Sequence, residues 1–237
     1  LEYDEAEGVR PANSHIGHAI NSITGYVTNG LYVDDEDIRN NPTSTLGNIA
    51  IAPGDIKYVD QPDKNDNYDN KITSDDKVTM GYPTVPEIVY GFGPSIAYKK
   101  WDFSFFFQGV AHTSLMMSDF APFGKKYNRN VLQWIADDYW SEANPNPYAS
   151  HPRLTKYENE HNNKSSDYWL RNAAFLKLKN IELGYKIKKG PRIYFSATNL
   201  LTFSPFKHWD PEMGGGKGLS YPTMRTFNIG IQMSFNK

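Results

Sequence analysis

Cysteine is absent from the 237 residues. That removes disulfide frameworks, thiolate metal sites and thiol chemistry. An excess of basic charge is missing too. With 25 Lys and Arg against 27 Asp and Glu, the formal charge is −2, which leaves no electrostatic footprint for nucleic acid. Long apolar runs are also lacking. The longest are a handful of residues, far short of the roughly 18 that a membrane helix needs. A mean hydropathy of −0.63 ordinarily describes a water-soluble chain. Transmembrane β-strands escape that inference, because lipid-facing and lumen-facing residues alternate and their hydropathies cancel. The opening LEYDEAEG has no leader pattern, so the chain reads as a piece of something longer.

Aromatics are plentiful, at 14%, with 16 Tyr among them. Charge is unevenly placed. Residues 1–82 hold 15 acidic and 6 basic side chains, and residues 83–237 hold 12 and 19. The acidic, Asn- and Asp-rich first part (1–86) reads as loop, and the periodic segments lie in 87–237.

In residues 224–237 one face carries Phe227, Ile229, Ile231, Met233 and Phe235, and the other Thr226, Asn228, Gly230, Gln232 and Ser234. A period of two over about ten residues matches a tilted membrane strand. The same pattern puts Ile88, Tyr90, Phe92, Ile96 and Tyr98 on one face of 87–98. It sends Phe103, Phe105 and Phe107 outward over 102–110, with Phe106 breaking the polar side. Ile181, Leu183, Tyr185 and Ile187 share a face, as do Ile193, Phe195 and Ala197. Leu176 and Leu178 stand out of phase with Ile181, which predicts a bulge or an end of membrane contact near Lys179 and Asn180.

About five strands result. Their joints alternate between tight turns, at Lys99 and Lys100 and over 188–191, and long excursions over 111–167 and 202–221. Short turns on one side and long loops on the other mark outer-membrane barrels. Five strands cannot close a barrel, which takes about eight at least, and an open edge is not viable in lipid. The expected fold is all-β: C-terminal strands of a large antiparallel transmembrane β-barrel with long extracellular loops. Phe103, Phe105, Ile181, Leu183, Ile229 and Ile231 are expected to face outer-membrane lipid. Tyr98, Trp101 and Tyr185 are expected at the periplasmic interface, where amphipathic rings favour the headgroup layer.

Particular strings then matter. GYVTNGLY (25–32) precedes acidic VDDEDI, and PGDIKYVD follows at 53–60. Residues 81–110 read GYPTVPEIVYGFGPSIAYKKWDFSFFFQGV. DYWSEANPNPY and HPRL fall in 138–154, SDYWLRNAAFLKLKNIELGYKI in 166–187, and RIYFSATNLLTFS and WDPE in 192–212. In this order they resemble the C-terminal third of SusC/RagA-type TonB-dependent outer-membrane transporters, over nearly the whole chain from Gly25. The resemblance implies a barrel that imports large nutrients, glycans or peptides. It implies a SusD-like surface lipoprotein as partner, and TonB acting through an N-terminal plug that is not in this sequence. The aromatic Phe235 resembles the terminal signal for barrel assembly, and its strand is expected to close the barrel.

Other chemistry is sparse. Residues 65–76 have EF-hand-like spacing. Asn65, Asn67 and Asp69 stand at positions 1, 3 and 5, Thr73 at 9 and Asp76 at 12, so alternate residues turn oxygens to one side for a hard cation such as Ca²⁺. Similar transporters have D-x-N-G-D-G-x-I-D here. Asn65, Asn70 and Thr73 depart from that pattern, and fewer carboxylates bind more weakly. A hydrogen-bonded surface loop is the competing reading. HWDPE (208–212) has too little pattern for a metal trio. GGGKG (214–218) lacks the Ser or Thr and the helix of a phosphate loop. No G-x-S-x-G exists, and neighbouring carboxylates such as Asp137 and Asp138 suit solvated charge better than a glycosidase pair. No enzyme is expected, and no resident cofactor beyond that Ca²⁺. Trp134, Tyr139, Trp140 and Trp169 surround the long excursion, with a short helix expected over 130–139 that packs Leu132 and Ile135 inward. They stack on substrate or a partner, or pack the loop. The alternative for the whole chain is a secreted glycan-binding β-sandwich, which would have loops of similar length at both ends.

Overall fold

A computed structural model describes residue 5 and residues 9–118, 130–188 and 190–233. The chain divides into two compact units, Leu1–Gly81 with Met116–Arg171 and Tyr82–Leu115 with Asn172–Lys237. The first unit contains strands β1 (Ile23–Tyr26), β2 (Thr28–Leu31), β3 (Thr43–Ser44), β4 (Ile56–Tyr58), β5 (Lys71–Ile72) and β6 (Lys77–Met80), and helix α1 (Asp35–Arg39). The second contains β7 (Ile88–Phe92), β8 (Ser95–Tyr98) and β9 (Trp101–Ala111). After the short β10 (Ser114–Met116), helix α2 (Gln133–Asp137) and β11 (Leu170–Asn172) come β12 (Phe175–Lys186), β13 (Arg192–Phe203) and β14 (Thr226–Gln232).

The second unit is one antiparallel sheet in the order β14-β13-β12-β9-β7, with β8 also on β9. β7 and β8 form a single arm. Ile88 opposes Ala111, Phe92 opposes Phe107, Ser95 opposes Ser104 and Tyr98 opposes Trp101, all in one register. Pro94 lacks an N–H and interrupts the ladder, though its carbonyl still accepts from Phe105 N at 3.3 Å. The joint at Lys99 and Lys100 is a two-residue turn, with Lys99 at φ 56°. Sequential neighbours joined this tightly must pair antiparallel, so the turns set the order of the sheet.

The expected bulge is present. The register shifts between Leu178 and Asn180 against both neighbours of β12. Lys179 is the extra residue relative to β9. Its insertion flips the phase and returns Leu176 and Leu178 to the face of Ile181 and Leu183. Next to it, β13 takes up Asn199 and Leu200, with Asn199 at φ 53° and its Nδ2 donating to Met224 O at 3.1 Å.

The first unit is not a bare loop. Residues that the sequence divides between two excursions share one core of Tyr26, Leu31, Tyr32, Ile56, Tyr58, Ile72 and Ile135. Its sheets are two-stranded: β1 with β6, β2 with β4, and β3 with β5, the last pair parallel. Strands of two to four residues bury too little alone, and buried polar groups complete the packing. Asp55, fully buried, accepts from Arg153 Nε at 2.7 Å, Asn162 Nδ2 at 2.8 Å, Asn159 Nδ2 at 2.9 Å and Ala52 N at 2.9 Å. His161 Nε2 lies 2.7 Å from Ile56 O, and its ring meets Tyr58 at a tilt, with centroids 4.7 Å apart. Burial lowers its pKa, so the ring is neutral at pH 7.

Removing the centre of such a knot leaves buried donors unpaired. Asp55→Ala should destabilise the first unit by about 3–5 kcal/mol, the cost of an uncompensated buried charge. Hydrogen exchange read separately for the two units checks this. Protection should fall over residues 23–80 and hold over β9, β12 and β13. Equal loss in both units would count against it.

Candidate functional site

The large sheet sorts its side chains by face. In antiparallel ladders directly opposed residues share a face, so the register defines rows. Ile96, Phe103, Leu183, Phe195 and Ile229 form one row, and Tyr98, Trp101, Tyr185, Ile193 and Ile231 the next. Phe105, Ile181, Ala197 and Phe227 form a third, and Phe92, Phe107, Leu178 and Leu201 a fourth. The six residues expected to meet lipid all lie in these rows. Several are open to solvent, Ile229 at 81% and Ile231 at 63%. Trp101 packs on Tyr185 at 4.7 Å, with Lys99 over Tyr98 and Lys100 near Tyr185. The tight turn therefore ends the apolar face in rings and ammonium groups.

The opposite face is polar. Ser95, Ser104, Glu182, Ser196 and Asn228 form a row, next to Ala97, Asp102, Gly184, Tyr194 and Gly230. Arg192 reaches across two strands. It donates from Nε to Asp102 at 2.9 Å and from Nη2 to Asp102 and to Glu182, the latter at 2.5 Å. Gly184 makes that reach possible, since a Cβ there would strike both the guanidinium and the Asp102 carboxylate. Phe106, the apolar intruder on this face, lies against Gly91 and Gly93.

The excursion after β13 is strapped to the sheet. Lys177, fully buried on the polar face, donates to Asp210 at 2.6 Å, to Glu212, and to Thr223 Oγ1 at 3.3 Å. Lys179 donates to Glu212 at 2.5 Å. The carboxylates of HWDPE thus hold two lysines, which no local pattern foretells. Burial raises the pKa of Asp210 and of Glu212, but hydrogen bonds from Lys177, Thr223 and Lys179 outweigh it, and both are held below their usual range.

The expected Ca²⁺ ligands separate into two groups. Asp69 and Asp76 converge on Arg10, each at 3.1 Å. Asn65 and Asn67 turn instead to Asp63, whose Oδ1 accepts from their backbone N–H groups at 2.7 and 3.1 Å. Asp66 and Asn70, both at positive φ, make the turns that separate them. Fully buried Asp76 also accepts from Thr73 N at 2.6 Å and Gln61 N at 3.0 Å. Among the described residues no three His, Asp or Glu side chains are grouped to hold a metal ion.

The loop aromatics also divide. Trp169 is buried, its Nε1 donating to Asn162 O at 2.8 Å, and its ring meets Tyr168 and His151 edge-on. Trp134 packs edge-on against His151 at 6.4 Å. The expected helix is α2, with Ile135 buried as expected, but Leu132 precedes the helix as its N-cap and is exposed rather than packed inward. Tyr139 and Trp140 line a cavity of about 730 Å³ in the first unit. Phe235 lies outside the described residues.

No family model matches the chain. Among curated proteins it is similar to TonB-dependent receptor P26 of Formosa agariphila, 27% identical over 99% of this chain and 24% of that protein. It is also similar to TonB-dependent receptor SusC of Bacteroides thetaiotaomicron, 25% identical over 89% of this chain and 20% of that one. The chain thus spans about a quarter of the length of the curated relatives it matches. Among solved structures, the RagAB peptide importer in its open-open state aligns with a TM-score of 0.66. The match is 22% identical and covers 93% of this chain and 23% of that one. That likeness identifies the sheet as a segment of the same barrel fold.

The strap makes a prediction about pH. A carboxyl held below its ordinary pKa contributes stability that is complete above the unfolded value, near pH 4, and is lost as pH falls through the folded value. Protection factors over 204–223, taken against the intrinsic exchange rate at each pH, should therefore be high at neutral pH and fall below about pH 4. Lys177→Met should leave that loop with low protection at both pH values. An unchanged loop in the variant would show that the strap does not hold it.

Proposed function

We propose, from the premise that this chain belongs with TonB-dependent receptors of the SusC/RagA kind, that it supplies wall and outer rim to an outer-membrane transporter for large nutrients. One observation carries the reading. Four apolar rows cover one face of a sheet whose other face holds Asp102, Glu182, Arg192 and serines. That is the division of a barrel wall between lipid and an aqueous lumen. Dimensions agree. β9 has 11 residues and β12 and β13 have 12 each. At about 3.3 Å per residue and about 45° of tilt, such strands cross an apolar layer of about 25 Å. A sandwich face of this size would need a second sheet packed on it.

In this reading the tight turns face the periplasm, and the first unit and the 204–225 strap face outward. A SusD-like lipoprotein would cap that rim, TonB would act through a plug, and glycans or peptides would be the cargo. The relatives support peptides as one option, since RagAB is described as a peptide importer. No catalytic constellation is invoked.

Ile229 tests the wall. Ile229→Lys should cost about 2–4 kcal/mol if the side chain lies near the bilayer midplane, whereas Ile229→Leu should be neutral. The readout is the amount of heat-modifiable, detergent-extracted protein in outer membranes. Full recovery of the lysine variant without detergent would sink the reading. Topology has a separate check: a cysteine at Lys100 should resist a membrane-impermeant maleimide in intact cells and react after outer-membrane permeabilisation. Strong labelling of intact cells would invert the orientation.

A further inference from the structure

The loop over 61–76 has the spacing of a calcium loop and part of its shape. Asn70 stands sixth from Asn65, where such a loop needs a sharp turn, and its φ is 56°. The cation's place is taken differently. Arg10 Nη1 donates to Asp76 Oδ1 at 3.1 Å and to Gln61 O at 2.9 Å, and Nη2 donates to Asp69 Oδ2 at 3.1 Å. One side chain thus gathers two carboxylates and a main-chain carbonyl, the kinds of oxygen that Ca²⁺ collects. A guanidinium can do so because its donors fan out in one plane and its charge is permanent.

Burial separates this contact from a surface ion pair. Asp76 is fully buried and the Arg10 side chain is 16% exposed. Asp76 also organises the loop's backbone, accepting from Gln61 N at 3.0 Å and Thr73 N at 2.6 Å. Its charge must be balanced where it sits, because a buried carboxylate without a partner is strongly destabilising. The balancing group comes from far upstream, and its approach is fixed. Arg10 precedes Pro11, which favours extended backbone, and Arg10 has φ −65° and ψ 147°. Three residues on, Asn13 Nδ2 donates to Asp75 O at 2.7 Å, on the same loop. A metal ion on Asp69, Asp76 and Gln61 O would need the space that the guanidinium nitrogens fill, so the two occupants exclude each other.

We propose that the Arg10 guanidinium replaces Ca²⁺ in this loop, so that an internal cation closes the first unit and no metal is needed to hold it. This applies to the first unit whether or not the second is a membrane wall. It also means that removing the guanidinium uncovers a weak Ca²⁺ site. Asp69, Asp76 and Gln61 O would then lack their cation and could take one from solution. Asn65 and Asn67 stay engaged with Asp63, so the ligand set is smaller than that of a full calcium loop and the affinity correspondingly low.

The test follows hydrogen exchange in the full-length protein, purified in detergent, at Gln61, Asn70 and Thr73, whose amides donate to Asp76 or Asp60. Strands β9, β12 and β13 serve as the internal control. In the unsubstituted protein, protection should be the same in EGTA and in about 5 mM Ca²⁺, which exceeds the weakest range of such loops. Arg10→Met should lower it about tenfold or more in EGTA, with the control strands unchanged. Arg10→Lys, which keeps the charge on a single nitrogen, should lower it less. Calcium should restore protection in Arg10→Met and do nothing when Asp76→Asn is added. Loss of protection by the unsubstituted protein in EGTA would show that a metal closes the loop, and overturns the proposal. Unchanged protection in Arg10→Met overturns it as well. Calcium without effect on Arg10→Met would make the arginine a tie that replaces nothing, which also overturns it. Should Arg10→Met lose protection in the control strands too, the unsubstituted protein with and without Ca²⁺, together with Arg10→Lys, still decides.

Discussion

Strand register is the constraint on which everything in the large sheet depends. Side chains alternate with a period of two, so one residue of slip would carry every apolar group to the polar face. The ladder from Ile96 through Phe103, Leu183 and Phe195 to Ile229 keeps five strand segments in phase. Where sequence phase and sheet phase disagree, at Leu176 and Leu178, an extra residue at Lys179 absorbs the difference. The neighbouring strand accommodates this with Asn199 and Leu200, and Asn tolerates the left-handed backbone better than most residues. The bulges are therefore what lets β12 and β13 keep one apolar face along twelve residues each.

This part of the fold was legible because it is periodic. The alternation over 224–237 is the strand Thr226–Gln232, and the out-of-phase leucines announced the bulge. The first unit was not legible. Its strands are two to four residues long, too short for a period to emerge. Its core relies on Tyr26, Tyr32 and Tyr58, whose polar ends make them ambiguous in sequence. Its acidic composition read as solvated loop, yet Asp55 and Asp76 are fully buried. A buried carboxylate looks like any other until its donors are known, and the donors of Asp55 lie about a hundred residues away, at Arg153, Asn159 and Asn162.

The same distance rule governs the candidate sites. The Asn65 to Asp76 spacing suggested convergent oxygens, but spacing cannot reveal that Arg10 already supplies positive charge to Asp69 and Asp76. The four loop aromatics were picked out by residue type alone. Type does not separate Trp169, satisfied by Asn162 O, from Trp140, whose N–H has no partner among the described residues.

Charge is used differently at two places on the sheet, and the difference follows from what surrounds it. On the polar face of the sheet, Arg192 bridges Asp102 and Glu182 between neighbouring strands, so one guanidinium offsets one of the two negative charges locally. A wall beside an aqueous lumen can carry such a cluster, because water solvates what the pairing leaves over. Lys177 has no such recourse. Fully buried, its ammonium group would be very costly unpaired, and it is offset by two carboxylates from one short loop. Burial therefore makes the strap obligatory, fixing the path of 204–225 by the need to neutralise one lysine.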